Sequence, residues 1–198
     1  MKHSKSKKIK ISSILLLVLI IAAIVLIVFI CAKFNERSKN NEAVKAVIAE
    51  VESIPETDKE ESIPYIEYEG YQVIGTIKIP KINIEYPILA ESNETSLEKS
   101  ITRVGNGEVN EIGNLTMAGH NYIDGSMFGK IDKLEKGDEI KILDLHKKEI
   151  TYSIFDIYVT DPNDVSVLDA REKGKREITL ISCTNGNKNR LIIKAREI

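Results

Sequence analysis

An uninterrupted apolar segment near the amino terminus constrains the fold of this chain more than any other feature. Residues 11–32 (ISSILLLVLIIAAIVLIVFICA) contain no charged side chain. As an α-helix they would extend about 33 Å, which is enough to cross the hydrocarbon core of a bilayer. The sequence therefore predicts one transmembrane helix at residues 11–32.

Charges on either side of this segment predict its orientation. Residues 1–10 hold five lysines and no acid, whereas the segment after residue 32 carries mixed charges. The positive-inside rule then predicts a cytoplasmic amino terminus and an extracellular segment at 33–198. A cleaved secretory signal is the alternative, but its apolar region usually has only about 7–15 residues. Cys31 is predicted to be a buried, inert thiol, because the bulky residues before it do not suit lipid modification.

Charge and composition limit what the rest of the chain can be. Subtracting the five lysine charges of the tail from the formal net charge of −2 leaves −7, so no nucleic-acid partner is expected. Apolar residues at helical spacing within a Glu- and Lys-rich stretch predict a partly helical stalk. The predicted domains are a cytoplasmic basic tail at 1–10, the transmembrane helix at 11–32, an extracellular stalk at 33–69 and a folded domain at 70–198.

The folded domain consists of short β-rich runs. Seven strands are predicted at residues 73–79, 83–89, 114–118, 139–143, 150–160, 177–182 and 191–195. Only two helical pieces are predicted between them, near 95–102 and 127–134. Because this is too few for regular βαβ alternation, the sequence predicts an all-β sandwich or barrel.

Cys183 is the only cysteine outside the apolar segment, so it has no disulfide partner. A lone thiol in an exported domain is either a protected, buried residue or a reactive one. Residue type alone favours burial. The context favours reactivity, because Cys183 ends the apolar run 178–182 and precedes a polar turn, where a sheet would hold it rigidly at an open edge.

A cysteine nucleophile reacts as the thiolate and needs a proton partner, most often histidine. Of the three histidines, His3 lies on the predicted cytoplasmic side and His146 in a charged hairpin turn. His120 remains by elimination. It stands where an apolar run stops, beside Gly119, which permits close backbone approach. A structural role is the alternative for a lone histidine.

Acyl transfer also needs a group that stabilises an oxyanion. Arg190 offers a fixed charge with several donors, and it follows Cys183 by seven residues across a loop that contains Gly and Asn. If the two strands pair as a hairpin, Arg190 and Cys183 meet at one edge. A solvated surface role is the alternative for Arg190, and other arginines of the domain lack its placement: Arg103, Arg171, Arg176 and Arg196.

Together these segments resemble the sortase family of Gram-positive bacteria. Residues 179–183 (TLISC) resemble the family signature TLxTC, residues 118–120 (AGH) resemble the segment around its histidine, and Arg190 resembles its arginine. Residues 77–80 (IKIP) and 86–88 (YPI) in the first strands fit as well. The one departure in the signature is a serine in place of the usual threonine, which keeps a hydroxyl.

The resemblance implies a fold and an activity. The fold is all-β, an eight-stranded sortase-type β-barrel with one or two short helices, preceded by the transmembrane helix and the stalk. The activity is that of a cysteine transpeptidase, a thiol peptidase-type acyltransferase. Cys183 would be the nucleophile, His120 the acid and base, and Arg190 the oxyanion-stabilising group. No metal or organic cofactor is expected.

The resemblance also implies substrates and a location. Such an enzyme cleaves an LPxTG-like sorting motif near the carboxyl end of a secreted protein through a thioacyl-enzyme, and transfers that protein to the amine of a cell-wall precursor or a pilin lysine. It is a single-pass protein of the cell membrane with an extracellular catalytic domain. Two other interpretations stay open: a membrane-anchored cysteine hydrolase, and a non-catalytic β-barrel that binds envelope peptides. The motif, the acceptor and the oligomeric state stay open too.

In the family, substrate choice is associated with the loop before the cysteine strand, here residues 161–176. Its shortness favours a class A-like or class D-like protein over class B, although residues 125–129 (GSMFG) resemble class B. Its acids form either a calcium site or a solvated surface, and their spacing favours the second: Asp161, Asp164, Asp169 and Glu172. Three asparagines could orient the imidazole or serve only as turn residues: Asn121, Asn185 and Asn187.

Overall fold

The computed structural model describes residues 4–55, 64–184 and 186–198. His3, Asn185 and residues 56–63 of the predicted stalk lie outside this part. The chain divides into two units at Ala43 and Val44, and each is described by itself. Helix α1 (Ser4–Ser53) supplies the described part of the first unit and the first residues of the second.

In the first unit, α1 carries the predicted transmembrane segment. Among the described residues it is the one helix long and apolar enough to cross a membrane, judged by length and composition. Its apolar side chains from Leu15 to Ile30 are exposed, as is typical of a helix that faces lipid. Cys31 lies on the same exposed helix surface, so its predicted burial within the membrane stays a prediction.

In the second unit, the end of α1 is amphipathic. Its apolar residues share one helix face, and all are buried: Val44, Val47, Ile48 and Val51. The ammonium of Lys147 donates hydrogen bonds to the backbone carbonyl oxygens of Val51, at 3.3 Å, and of Glu52. Carbonyls in the last turn of a helix lack an i+4 partner, so Lys147 caps them from another element. This part of the predicted stalk therefore packs as part of the folded unit.

The remaining chain forms nine strands. They are β1 (Glu67–Tyr68), β2 (Tyr71–Ile79), β3 (Ile84–Leu89), β4 (Ile101–Val104), β5 (Gly113–Ala118), β6 (Glu139–Asp144), β7 (Glu149–Thr160), β8 (Arg176–Thr184) and β9 (Asn189–Glu197). Their order in the sheet is β1-β2-β3-β4-β5-β8-β9-β7-β6, and β6 pairs back onto β2. Strands β2 to β9 thus close an eight-stranded barrel, which confirms the predicted fold class.

The interior of the barrel is one apolar cluster to which each of the eight strands contributes. Side chains alternate between the two faces of a strand. In β8, Ile178 and Leu180 point inward, so Thr179, Ile181 and Cys183 lie on the outer face. The candidate site is therefore on the outside of the barrel, on a rigid sheet.

Each of the seven predicted strands is present, but β4 was predicted as part of a helix at 95–102. Helix α2 (Glu94–Lys99) ends before it, and the β-branched residues Ile101 and Thr102 are fully buried between neighbouring strands. The helix predicted at 127–134 is only a 3-10 turn (Ile131–Lys133). Met127 has a φ of +48°, a left-handed conformation that a helix cannot contain.

Candidate functional site

Cys183 and Arg190 are direct partners in the antiparallel pairing of β8 with β9. Opposed residues of such a pair project from the same face, with Cβ atoms about 4.5–5.5 Å apart. Both side chains are partly exposed. The hairpin expected from the sequence therefore exists, and it makes Cys183 and Arg190 neighbours on the outer face of the barrel.

His120 approaches the same edge from β5, which runs parallel to β8. Ala118 pairs with Ile181, so the next two residues of each strand lead to His120 and to Cys183. The carboxyl ends of neighbouring parallel strands leave a sheet at one edge, where loops carry functional side chains. Of the three residues predicted to form the site, Cys183 and Arg190 therefore lie on β8 and β9, and His120 lies two residues beyond the end of the adjacent β5.

Three hydrogen bonds tie the chain around His120 to β8. The Gly119 amide donates to the Ile181 carbonyl at 3.2 Å, and the Ser182 hydroxyl donates to the Gly119 carbonyl at 2.8 Å. On the other side of the histidine, the Asn121 side-chain amide donates to the Cys183 carbonyl at 2.7 Å. His120 is thus held on both sides by bonds to the strand that carries the thiol.

Packing also restricts the backbone at His120. A Cβ atom at Gly119 would lie 2.8 Å from Ile101 Cδ1 and from Phe128 Cδ2, closer than real Cβ contacts. The imidazole tilts at 48° over the Tyr122 ring, with centroids 5.2 Å apart, and the Phe128 amide donates to the His120 carbonyl at 2.9 Å. Gly119 is therefore required by close packing beside the histidine.

The guanidinium of Arg190 is oriented by its own turn. Its Nη1 donates to the carbonyl oxygens of Asn187 and Asn189, each at 3.2 Å. Asn187 has a φ of +70°, which asparagine tolerates better than most residues. Of the described asparagines predicted as possible orienters of His120, Asn187 therefore serves the turn, and Asn121 bonds the Cys183 carbonyl.

A groove of about 170 Å³ lies on this outer face, and Arg190 is one of its lining residues. Its floor is formed by β8 and β9, and one wall by the loop that joins β7 to β8 (residues 161–175, the β7–β8 loop). Its lining includes Val165, Val167, Leu168, Ile181 and Ile192. The groove is therefore mostly apolar, and the charged residues in its lining are Arg190, Asp161 and Asp164.

Three acids of the β7–β8 loop form hydrogen bonds or ion pairs within the protein. Asp164 accepts hydrogen bonds from the amide and hydroxyl of Ser166 and from the Thr160 hydroxyl, and these bonds, Ser166 first, lower the pKa of its carboxyl group. Asp161 accepts from the Asn163 amide, and Glu172 pairs with Arg196 at 2.8 Å. Across the described residues there is no cluster of three or more His, Cys, Asp or Glu that could bind a metal ion.

Two polar residues at this site were not identified from the sequence. Ser182 was read only as a signature position, although its hydroxyl bonds the chain beside His120. No role was predicted for Lys194, which is buried with 1% of its surface exposed. Strand alternation could have placed Lys194 on the same face as Arg190, but the loop that covers it depends on tertiary structure.

The closed eight-stranded barrel carries cysteine and arginine on paired strands, with histidine just beyond the end of the adjacent strand. The chain belongs to the sortase family, because the family model for the sortase domain matches residues 77–198, more than half of its length. Members of this family are cysteine transpeptidases, and they are membrane-associated in Gram-positive bacteria.

Relatives of this chain include sortases A and D, in agreement with the prediction of a class A-like or class D-like sortase. Sortase A of Bacillus anthracis is 36% identical over 119 residues, 60% of this chain and 55% of that protein. Sortase D of Bacillus subtilis is 30% identical over 128 residues, which are 64% of this chain and 62% of that protein. The match thus spans less than two thirds of these relatives. The solved structure of the Clostridium perfringens Sortase D5 transpeptidase is 34% identical with a TM-score of 0.66, over 81% of this chain and 99% of that one.

Proposed function

We propose that this chain is a membrane-anchored transpeptidase that uses Cys183 as nucleophile. It cleaves an LPxTG-like sorting motif in a secreted protein and transfers that protein to an amine. The observation that carries the proposal is the pairing of Cys183 with Arg190, which also lines the groove, with His120 just beyond the end of the adjacent strand.

In the first half of the reaction, the Cys183 thiolate attacks the carbonyl carbon of the scissile peptide bond. The negative charge that develops on the carbonyl oxygen is stabilised by the Arg190 guanidinium, through charge-assisted hydrogen bonds. The C–N bond then breaks, and protonated His120 gives its proton to the departing amine. The product is a thioester between Cys183 and the secreted protein.

In the second half, the acceptor amine attacks the thioester carbon. Neutral His120 accepts the proton that the amine loses, and Arg190 stabilises the second oxyanion. The C–S bond breaks and regenerates the thiolate, so the net change is the exchange of one amide for another. The acceptor is the amine of a cell-wall precursor or a pilin lysine.

The groove supports an extended peptide as substrate. Its lining is mostly apolar, with Val167, Ile181 and Ile192 along the floor and wall, and it includes the positive charge of Arg190 beside the acids of the β7–β8 loop. Such a channel takes up apolar side chains and directs the peptide carbonyl that follows them towards a positive charge. A peptide bound in the groove would have its scissile bond held near the Cys183 thiol, and this positioning lowers the entropic cost of the reaction.

Location supports the same proposal. The apolar part of α1 would anchor the protein as a single-pass membrane protein, with the lysine-rich amino terminus in the cytoplasm and the barrel outside. Secreted proteins and lipid-linked amines both pass this surface. Anchoring therefore raises the effective concentration of substrate and acceptor at the site.

The partial exposure of Cys183 favours a reactive thiol over the alternative of a non-catalytic barrel that binds envelope peptides. A packed, inert cysteine would be buried like Ile178 or Leu180 on the same strand. A hydrolase is the other alternative, and it differs only in the acceptor. Product analysis in the presence of an amine separates it from a transpeptidase.

The test uses the full chain in detergent micelles with peptides that carry LPxTG-like and related motifs, plus an amine acceptor. Mass spectrometry would follow the new amide and the thioester on Cys183. We expect transfer by the wild type and by Cys31→Ser, the matched control on the other cysteine, and none by Cys183→Ala. Transfer that survives Cys183→Ala, or a Cys183 thiol that reacts with neither peptide nor alkylating agent, would overturn the proposal.

A further inference from the structure

The groove floor is built from cross-strand pairs on the outer face of β8 and β9. Moving away from the Cys183–Arg190 pair, the next pair on this face joins Ile181 to Ile192, and the one after it joins Thr179 to Lys194. The first pair forms the proposed catalytic site, and the second lines the groove. The third pair places a lysine directly under the wall of the groove.

Lys194 is a buried cation with backbone oxygens as partners. Its Nζ donates to the carbonyl oxygens of Val167 at 3.0 Å and Asp169 at 2.9 Å, and to the Thr179 hydroxyl at 3.2 Å. An ammonium has three donor hydrogens, so these three acceptors match its capacity. Burial lowers the pKa of Lys194, and the nearby charge of Arg171 lowers it further. Burying the Lys194 ammonium therefore costs free energy, and the three hydrogen bonds offset this cost.

The turn that Lys194 holds forms the wall of the groove. It is a 3-10 turn (Val165–Leu168), and three of its residues line the groove. A second buried side chain holds the same turn, because the Asn114 amide donates to the carbonyl oxygens of Val167 at 3.2 Å and Leu168 at 2.9 Å. Thr179 links the two anchors by donating to Asn114 at 2.9 Å.

We propose that Lys194 is a positioning residue whose buried ammonium holds the Val165–Leu168 turn against the β8–β9 face and thereby sets the shape of the peptide groove. The part of this inference that concerns peptide binding rests on the proposed function. Lys194 does not reach the reacting atoms, since it is two pairs away from Cys183 on the strand. It acts through the backbone of the wall, so it affects how the peptide is bound more than how the thiol reacts.

The main test is Lys194→Met in the full chain, which keeps the length of the side chain and removes the donors. Hydrogen exchange at the Ser166 and Asp169 amides should become about tenfold faster, because both lie in the turn that loses its anchor. KM for the peptide should rise about tenfold while kcat changes less than about threefold. Alkylation of Cys183 should stay within about twofold of the wild type.

Two further variants separate positioning from general loss of stability. Thr179→Val removes the hydroxyl that links Lys194 to Asn114 and keeps the shape of the side chain. It should also speed exchange in the turn and raise KM, but by smaller factors than Lys194→Met. Tyr152→Phe removes a buried hydrogen bond to Asn110, 3.0 Å long, elsewhere in the barrel. This control should lower stability without faster exchange in the turn.

Exchange in the turn that stays at the wild-type rate in both Lys194→Met and Thr179→Val would overturn the inference. So would a kcat that falls while KM is unchanged. The exchange measurement needs no substrate. It therefore decides the role of Lys194 even if the wild type transfers no peptide, which would be a failure of the proposed function alone.

Discussion

The side-chain amide of Asn121 donates a 2.7 Å hydrogen bond to the backbone carbonyl of Cys183. It joins the residue after His120 to the strand that carries the thiol, across 62 positions of sequence. In the proposed mechanism, the distance between imidazole and thiol decides whether His120 can reach the amine that leaves or attacks the carbon bonded to Cys183. This bond is the side-chain contact that holds the two segments together on the exposed side of the site.

Replacement of Asn121 by alanine should slow transfer with little change in fold. A neutral hydrogen bond contributes about 0.5–1.5 kcal/mol, which corresponds to about a 2–10-fold decrease in kcat/KM. Steady-state kinetics with the peptide and amine would measure it. Asn41→Ala, on the exposed surface of α1, is the matched control and should behave like the wild type. Wild-type kinetics for Asn121→Ala would show that the bond does not contribute.

A methyl group at Gly119 should disturb both stability and activity. The added Cβ would meet Ile101 Cδ1 and Phe128 Cδ2 at 2.8 Å, and forcing such groups into a packed core costs about 1–3 kcal/mol. Thermal unfolding and transfer rates of Gly119→Ala would measure the two losses. Ile101→Val removes the Cδ1 methyl, so the double variant should recover part of the loss. If the losses of stability in Gly119→Ala and Ile101→Val simply add in the double variant, the steric explanation is wrong.

The end of α1 should stabilise the barrel. Val51 is fully buried, whereas Ala49 on the same helix is exposed. Val51→Asp loses apolar burial worth about 0.8 kcal/mol per CH₂ and introduces a carboxylate among apolar side chains, so it should lower the free energy of unfolding by at least about 2 kcal/mol. Ala49→Asp places the same charge in solvent and should have almost no effect. Equal effects of the two changes in denaturant titrations would argue against docking of this segment.

Acid should weaken the sheet at the Arg176–Glu197 ion pair. The pair is 2.9 Å long, and the hydrogen bond from Arg176 lowers the pKa of Glu197 below its usual value of 4.5. Because the pKa is lower in the folded state, the stabilisation is complete above pH 4.5 and is lost as pH falls through the folded pKa. Glu197→Gln should remove this part of the acid dependence.

Arg176→Met should remove the same part of the acid dependence of stability, because either substitution breaks the Arg176–Glu197 ion pair. Unfolding measured in denaturant between pH 3 and pH 7 would compare the three proteins. An acid dependence that is as steep in Glu197→Gln as in the wild type would show that other carboxylates are responsible.

Much of the fold follows from local pattern. The seven predicted strands are present because alternating apolar residues, such as those of β8, can bury one face only as strands. β4 was missed because Ile101-Thr102-Arg103-Val104 is short and follows a helix, and its burial comes from Leu89 and Ala118 on other strands. A helix was predicted near 127–134, but only a 3-10 turn at Ile131–Lys133 forms there. This prediction also failed because of tertiary surroundings, on which the left-handed backbone at Met127 depends.

The sequence by itself determined the candidate membrane segment, the all-β class, and the choice of Cys183, His120 and Arg190 as candidate site residues. Residue type, run length and strand ends carry that information locally. Only the tertiary structure decided that β6 closes on β2, that Val44–Val51 packs against the folded unit, and that Lys194 and Asn121 hold the two sides of the site. Those contacts join residues far apart in sequence. They form because buried donors need acceptors, wherever the folded chain brings them.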